Sequence, residues 1–412
     1  MKILFIHQNF PGQFKFLAPA LVKRGHEVKV LSPKTNDFGT DIGIEYISYK
    51  ISKSSSKDIH PWLADFEPKI IRAEACFKEA VKLQINGYTP DKIIAHYGWG
   101  ESLFLKQVWP EAKLGLYCEF FYHSSGADVG FDPEFTEDDL GDSCRLQIKN
   151  LNNYLHFPIA DGGLCPTHWQ ASTFPNEFQE KITIVHDGID TNAVRPNNAT
   201  SIKFNNGLEL NSDSEIITFV ARTLEPYRGY HIFMRSLPKL LAERPNARVM
   251  IIGSAEGGYG AKPNKKKYKD LTWKNIFINE LKDQLSSSEW SRVHFLGHLE
   301  YSIFLKLLQV STVHVYLTYP FVLSWSLLEA MSSGCAIIAS DTQPLHEAIT
   351  DNETGILVNF FDHETLAKTI IKVLSDKDLR LRLGRNARKF AIENYDLYSA
   401  CLPIQLKWVE EL

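Results

Sequence analysis

Short β-branched runs alternate with segments of helical periodicity along nearly the whole chain, and this alternation restricts the fold more than any other feature. Residues 2–7 form the first such run. After a Pro-Gly loop, Phe14, Leu17, Ala18, Leu21 and Val22 follow helical spacing, Gly25 ends the helix, and residues 26–31 read as a second strand. Two strands joined by a helix make a β-α-β unit whose strands run parallel. A helix over 68–83 and strands at 92–96 and 114–121 extend one α/β domain to about residue 189.

The alternation then starts again. A strand at 216–222 precedes a helix from about 230 to 243 and a strand at 248–253, and further strands at 293–296, 313–317 and 336–340 are separated by apolar-periodic helices. Residues 190–213 are rich in Asn, Ser, Pro and Thr and read as a linker. The predicted class is α/β, with two doubly wound parallel-sheet domains facing across a cleft and ligands held after the carboxyl ends of strands. A length of 412 residues fits two cores better than one.

Composition narrows the function classes. With 44% hydrophobic and 23% charged residues the chain is globular, without an internal repeat or a long low-complexity tract. A net charge of −4 argues against nucleic acid as a partner. The most apolar stretch, 313–331, contains His314, Thr318, Pro320, Ser324, Ser326 and Glu329, so it reads as buried strand, turn and helix rather than as a membrane span. The N-terminus enters a strand directly, without a basic region and cleavage site, so a cytoplasmic location is expected. Six scattered cysteines without Cys-x-x-Cys spacing suit reduced thiols in packing positions.

Several segments carry chemistry. FVARTLEPYRG places Arg222 at the end of a predicted strand and Arg228 just before the next helix, on a turn marked by Pro226 and Gly229. Two guanidinium groups that stay charged and bind phosphate through two N–H groups at once suit a diphosphate leaving group. The bland alternative is two surface salt bridges. YPFVLSWSLLEAMSSG runs from a strand through Ser324, Trp325 and Ser326 into a helix opening at about Ser326, where free amides and the helix dipole favour an anion. Glu329 then has two readings: a carboxylate for ribose hydroxyls, or the last member of a Ser-x-x-Glu capping box.

In HQNFPGQF, Gly12 follows the first strand, where a missing side chain permits close backbone approach to a ligand. The pattern is neither a dinucleotide fingerprint nor a phosphate-binding loop of nucleotide hydrolases. Gly-x-Ser-x-Gly and His-Glu-x-x-His are both absent from the sequence. Candidates for a general base are His96, Glu119 and His123, each near the end of a first-domain strand, with Asp128 and Asp132 close behind. The acidic run 132–142 fits no calcium loop and reads as solvated, and no metal site is expected. The run 262–270, KPNKKKYKD, carries five lysines and reads either as a solvated loop or as a contact for the inner face of an anionic membrane or a lipid-linked phosphate.

Taken together these segments resemble glycosyltransferase family four, the retaining GT-B family that includes bacterial glycan-assembly enzymes. NFPGQF matches its Gly-containing first loop, HDGID its Asn-Gly-Val-Asp domain junction, and FVARTLEPYRG its diphosphate ligands at Arg222 and Arg228. VHFLGHL resembles its base-contacting loop around Gly297, His298 and Leu299, and LLEAMSSGCAIIAS its Leu-Glu-Ala-Met helix and following strand, placing Glu329 at the ribose. The family's usual glutamate eight residues earlier is here Phe321, and its N-domain histidine falls on Glu119, with His123 nearby.

The resemblance implies an acceptor-side domain over 1–192, a connection at 193–213, a nucleotide-sugar-binding domain over 214–390, and a C-terminal helix over 391–412 that crosses back to the first domain. It implies transfer of a hexose or N-acetylhexosamine, with anomeric retention, from a UDP- or GDP-sugar to a hydroxyl of a glycan or lipid-linked glycan. No metal is implied, and no cofactor besides the donor substrate. The alternatives are a GT-B sugar-nucleotide epimerase, a glycogen-phosphorylase-like enzyme, disfavoured by the short chain and the absent pyridoxal-phosphate lysine motif, and a catalytically silent sugar-nucleotide binder suggested by Phe321.

Overall fold

The computed structural model describes residues 1–136, 140–204 and 207–412, and divides them into two compact units. One comprises Met1–Gly188 with Leu397–Leu412, the other Ile189–Asp396.

The strands of the first unit are β1 Lys2–Ile6, β2 Glu27–Ser32, β3 Glu45–Ser48, β4 Lys92–Ala95, β5 Lys113–Tyr117, β6 Gly162–Cys165 and β7 Ile182–Ile184. They form one parallel sheet in the order β3-β2-β1-β4-β5-β6-β7, with Ile3 level with Val28 on one side and Lys92 on the other. Residues 3–6 of β1 are all buried because both faces of the sheet are covered: Leu4 and Ile6 join one apolar cluster, Ile3 and Phe5 the other. The chain winds outward from β1 to β3 and then returns to the far side of β1, so the winding reverses between β1 and β4. Such a reversal leaves a crevice at the carboxyl ends of those two strands.

The terminal helix Leu402–Glu411 completes this unit. Leu406, Trp408 and Val409 pack with Ile3, Phe5 and Val28, and the buried Lys92 ammonium donates to the carbonyls of Val409 and Glu410 at 2.6 and 2.8 Å. Gly115 and Gly162 leave room for the helix: a Cβ on either would lie 2.7 Å from Trp408 or Leu412.

In the second unit, β8 Ser201–Lys203 and β9 Glu209–Asn211 pair antiparallel. The remaining strands, β10 Ile216–Thr223, β11 Arg248–Ser254, β12 Val293–Gly297, β13 Val313–Tyr316, β14 Ala336–Ser340 and β15 Ile356–Val358, form a parallel sheet in the order β12-β11-β10-β13-β14-β15. Numbered from β10 this is the 3-2-1-4-5-6 winding of dinucleotide-binding folds, with its reversal between β10 and β13. The apolar stretch 313–331 is β13, a turn and the helix Trp325–Ser332; no described helix is long and apolar enough to cross a membrane.

Three expectations need correction. The units divide at Gly188/Ile189 and Asp396/Leu397, not at 192 and 390, because Ile189 and Val194 are buried with Leu327, Leu328, Ala387 and Ala391 and Thr191 donates to Asp396 at 2.6 Å. The presumed linker 193–213 therefore belongs to the second unit, as packed chain and the β8–β9 hairpin; its Asn205 and Asn206 lie outside the described residues. The strand expected over 114–121 stops at Tyr117, where pairing with β6 ends, so Glu119 lies beyond it.

Of the acidic run 132–142, residues 137–139 lie outside the described residues, while Asp132 accepts from the Glu134 amide at 3.0 Å and Asp142 pairs with Arg145 at 2.9 Å. The lysine run forms one turn, Lys265–Tyr268, capped by Asn264, with all five lysines exposed.

Candidate active site

The crevice between β10 and β13 holds the two arginines of FVARTLEPYRG. Arg222 is the exposed penultimate residue of β10, and the turn Pro226–Arg228 follows. Gly229 closes the turn with φ +66° and sits so close to Leu317 that any side chain would collide with it. The helix Tyr230–Glu243 then begins, as the periodicity predicts.

Arg228 is only 7% exposed. Its Nη1 donates to Thr318 Oγ1 at 2.9 Å and to the Tyr316 hydroxyl at 3.4 Å, both on the opposite side of the switch point, while Nε and Nη2 have no acceptor among the described residues. Arg222 donates through Nη1 to the Tyr259 hydroxyl at 3.3 Å. Among the described residues neither arginine has a carboxylate within salt-bridge distance, so the surface-salt-bridge reading is set aside. A buried guanidinium bonded to no carboxylate is costly, and the Nε/Nη2 edge it leaves open is the one that grips an oxyanion through two hydrogen bonds.

Sequence reasoning passed over the groups that frame this pair. Glu225 is 2% exposed and accepts from the amides of Tyr259 and Gly260, both at 3.0 Å, which pins the glycine-rich loop after β11. Burial raises its pKa, against the lowering effect of those amides and of Arg228 and Arg222. Gly258 passes so near this carboxylate that it admits no side chain. Tyr259 lies with its ring 5.7 Å from Arg222 Cζ and 5.4 Å from Arg228 Cζ. Phe321, in place of the family's first glutamate, is buried against Tyr227 and Tyr259 at 5.2 and 5.3 Å between ring centroids, with Arg228 Cζ at 5.8 Å. An aromatic ring, not a carboxylate, therefore neighbours the cation.

The helix after β13 spans Trp325–Ser332, within one residue of the expected start. Its cap is Ser324, whose Oγ accepts from the Ser326 amide and lies 2.9 Å from Ser326 Oγ. Measured from that cap, Glu329 falls a turn and more into the helix, outside the capping-box position, so the capping reading is corrected. Glu329 is 8% exposed, and its Oε1 accepts from the Tyr301 hydroxyl at 2.7 Å. Tyr301 opens the helix that follows Gly297, His298 and Leu299, which ties the end of β12 to Glu329. Gly297 has φ +64° and His298 is exposed. Trp325 is 42% exposed at the helix start.

In the first unit, the reversal between β1 and β4 brings together His7 and His96, 5.3 Å apart between ring centroids. His96 stacks on Tyr117, and its Nε2 is 3.7 Å from Glu119 Oε2. Burial works to lower the His96 pKa, but the hydrogen bonding and charge of Glu119 outweigh it and the net shift is upward. His7, which the sequence reading missed, accepts at Nδ1 from the Asn9 amide and meets Gln13 at Nε2, and burial and the His96 charge bring its pKa down to about 4. Gly12 has φ +48° and presses on the His7 ring so closely that a side chain there would overlap it. His123 is not brought to this cluster: its Nε2 meets the Thr173 carbonyl at 2.6 Å and its ring lies on Phe121.

Two family models match the chain in succession, "Glycosyl transferase family 4 group" over residues 24–194 and "Glycosyl transferases group 1" over residues 201–390. Similar sequences include D-inositol 3-phosphate glycosyltransferase of Corynebacterium efficiens, 24% identical over 215 residues, 52% of this chain and 47% of that one. The chain thus matches about half the length of that relative. The glycosyltransferase MJ1607 of Methanocaldococcus jannaschii is 27% identical over 409 residues, 96% of this chain and 94% of that one. The same fold is found in the Anabaena protein HepE, solved with UDP and glucose, at a TM-score of 0.66 and 16% identity, covering 100% of both chains. With both halves matched in order on two doubly wound sheets, the chain belongs to the family-four glycosyltransferases of the GT-B type.

Proposed function

We propose that the protein is a retaining hexosyltransferase that takes a hexose or N-acetylhexosamine from a UDP- or GDP-sugar and places it on a hydroxyl of a glycan or lipid-linked glycan. The observation that carries this reading is Arg228: a buried cation without a carboxylate partner, at a sheet switch point, with its Nε/Nη2 edge free of protein acceptors. HepE, which shares the fold, was solved with UDP and glucose, in line with a nucleotide-sugar ligand.

In the proposed reaction the bond between the anomeric carbon and the β-phosphate oxygen breaks. The electron pair leaves on the nucleoside diphosphate, the acceptor oxygen bonds the anomeric carbon, and the acceptor proton is released. Arg222 and Arg228 take up the charge that grows on the diphosphate, aided by the amides at the start of the helix Trp325–Ser332. Glu329 holds ribose hydroxyls, and the loop 297–299 meets the base. The first unit receives the acceptor, and His96 with Glu119 is its polar pair at the strand ends.

Screening UDP- and GDP-sugars for thermal stabilisation, then for slow donor hydrolysis, tests this without knowledge of the acceptor; a ligand at one hundred times its Kd adds about 2.7 kcal/mol of stability. Unchanged turnover in Arg222→Ala would remove the assignment. Phe321 beside Arg228 favours one second reading, a sugar-nucleotide binder without catalysis. Tight UDP or GDP binding with neither hydrolysis nor transfer of any donor would select it.

A further inference from the structure

Each arginine of the pair holds a protein hydroxyl. Tyr259 accepts from Arg222 at 3.3 Å, and Thr318 accepts from Arg228 at 2.9 Å. Neither hydroxyl has an acceptor for its own hydrogen among the described residues. A hydroxyl that accepts from a cation turns its O–H away from that cation, and the cation polarises the O–H into a stronger donor. The exposed Tyr259 therefore offers a polarised O–H donor beside the open N–H edge of Arg228, while the fully buried Thr318 holds Arg228 from the protein side.

Tyr259 is held there by construction. The loop that carries it contains Gly257 and Gly258, both at positive φ, and Gly260, and the buried Glu225 carboxylate grips the amides of Tyr259 and Gly260 at 3.0 Å. The ring lies near both guanidinium carbons, and Arg222 donates to its hydroxyl. Tyr259 is nevertheless 48% exposed, which leaves its hydroxyl reachable by a ligand.

We propose that Tyr259 is a third diphosphate ligand, delivering its hydroxyl proton as a hydrogen bond to a phosphate oxygen of the leaving group, while the buried Thr318 positions Arg228. The proposal rests on the donor being a nucleotide sugar. It makes the Glu225-anchored loop part of the leaving-group site rather than a connector.

The test is calorimetric titration of the full chain with UDP, GDP, uridine and guanosine, for the wild type, Tyr259→Phe and Thr318→Val. Tyr259→Phe keeps the ring and loses only the hydroxyl. The expected result is about tenfold weaker binding of the nucleoside diphosphate with nucleoside affinity unchanged, the loss that one charge-assisted hydrogen bond implies. Thr318→Val, which is nearly isosteric, removes the acceptor that positions Arg228 and should also weaken the diphosphate while sparing the nucleoside. Unchanged or tighter diphosphate binding in Tyr259→Phe overturns the proposal, and so does an equal loss for the nucleoside. A wild type that binds neither diphosphate overturns the nucleotide-sugar reading itself, and this inference with it, so the two failures are distinguishable.

Discussion

Replacing Arg228 with methionine separates what the cation does for the ligand from what it does for the fold. Methionine matches the length of the stem and is compatible with the buried surroundings of Tyr227, Tyr259 and Phe321. On the ligand side, the Nε/Nη2 edge is lost, and with it two hydrogen bonds to an anion worth about 1.5–3 kcal/mol each. Arg222 remains, so the lower end applies, about 3 kcal/mol or roughly a hundredfold in donor kcat/KM. On the fold side, relief of the buried charge is set against the loss of its attraction to Glu225 and of the donor to the Thr318 and Tyr316 hydroxyls, a net cost of about 1 kcal/mol. The unliganded variant should therefore melt within a few degrees of the wild type, while the rise in Tm produced by saturating UDP or GDP disappears. Thermal unfolding with and without each diphosphate, together with steady-state donor hydrolysis, measures both sides. A variant within threefold of wild-type kcat/KM and with its ligand-induced Tm rise intact would refute the reasoning, as would a variant many degrees less stable before any ligand is added.

Phe321→Glu restores the family's carboxylate but sets it against Arg228, so donor affinity should fall by about tenfold rather than rise, as titration with UDP and GDP would register. Tyr301→Phe removes the hydroxyl that orients Glu329 and should weaken uridine or guanosine binding by about three- to tenfold while leaving inorganic pyrophosphate binding unchanged. His156, fully buried between Ser102 and the Asn152 carbonyl, has its pKa brought down by burial to about 4. Its folded pKa thus lies below its unfolded value, so it costs stability as pH falls from about 6.5 toward 4, by up to about 1.4 kcal/mol per pH unit; since His7, His186 and His314 are shifted the same way, His156→Gln should narrow but not close the gap between urea midpoints at pH 7 and pH 5, and parallel losses in variant and wild type would contradict this. Gly162→Val places side-chain atoms where Leu412 packs and should cost the first unit about 1–3 kcal/mol in denaturant titration.

The strand and helix alternation was legible because buried parallel strands and amphipathic helices write their periods into sequence: the helix Tyr230–Glu243 and strand β14 fall where the pattern puts them. Strand order was not, because nothing local says that β4 returns to the far side of β1; hence the meeting of His7 with His96, residues in separate loops, needed coordinates. Arg222 and Arg228 were legible from charge and turn chemistry. The Ser-x-x-Glu spacing points to Ser326 as the cap, whereas Ser324, five residues before Glu329, holds that place, and only the position of the first helical turn shows it. Glu225 and Tyr259 were missed for a different reason: a carboxylate in a turn and a tyrosine in a glycine loop acquire meaning only when the adjacent strands β10 and β11 bring them together.

The central claim is that the open edge of Arg228 receives the diphosphate of a nucleotide sugar. An experimental structure of the protein with bound UDP or GDP tests it most directly. The account predicts phosphate oxygens within hydrogen-bonding distance of Arg228 Nε and Nη2 and of Arg222, with Glu329 at the ribose. A diphosphate bound away from the β10–β13 switch point, with Arg228 still joined only to Thr318 and Tyr316, would contradict it.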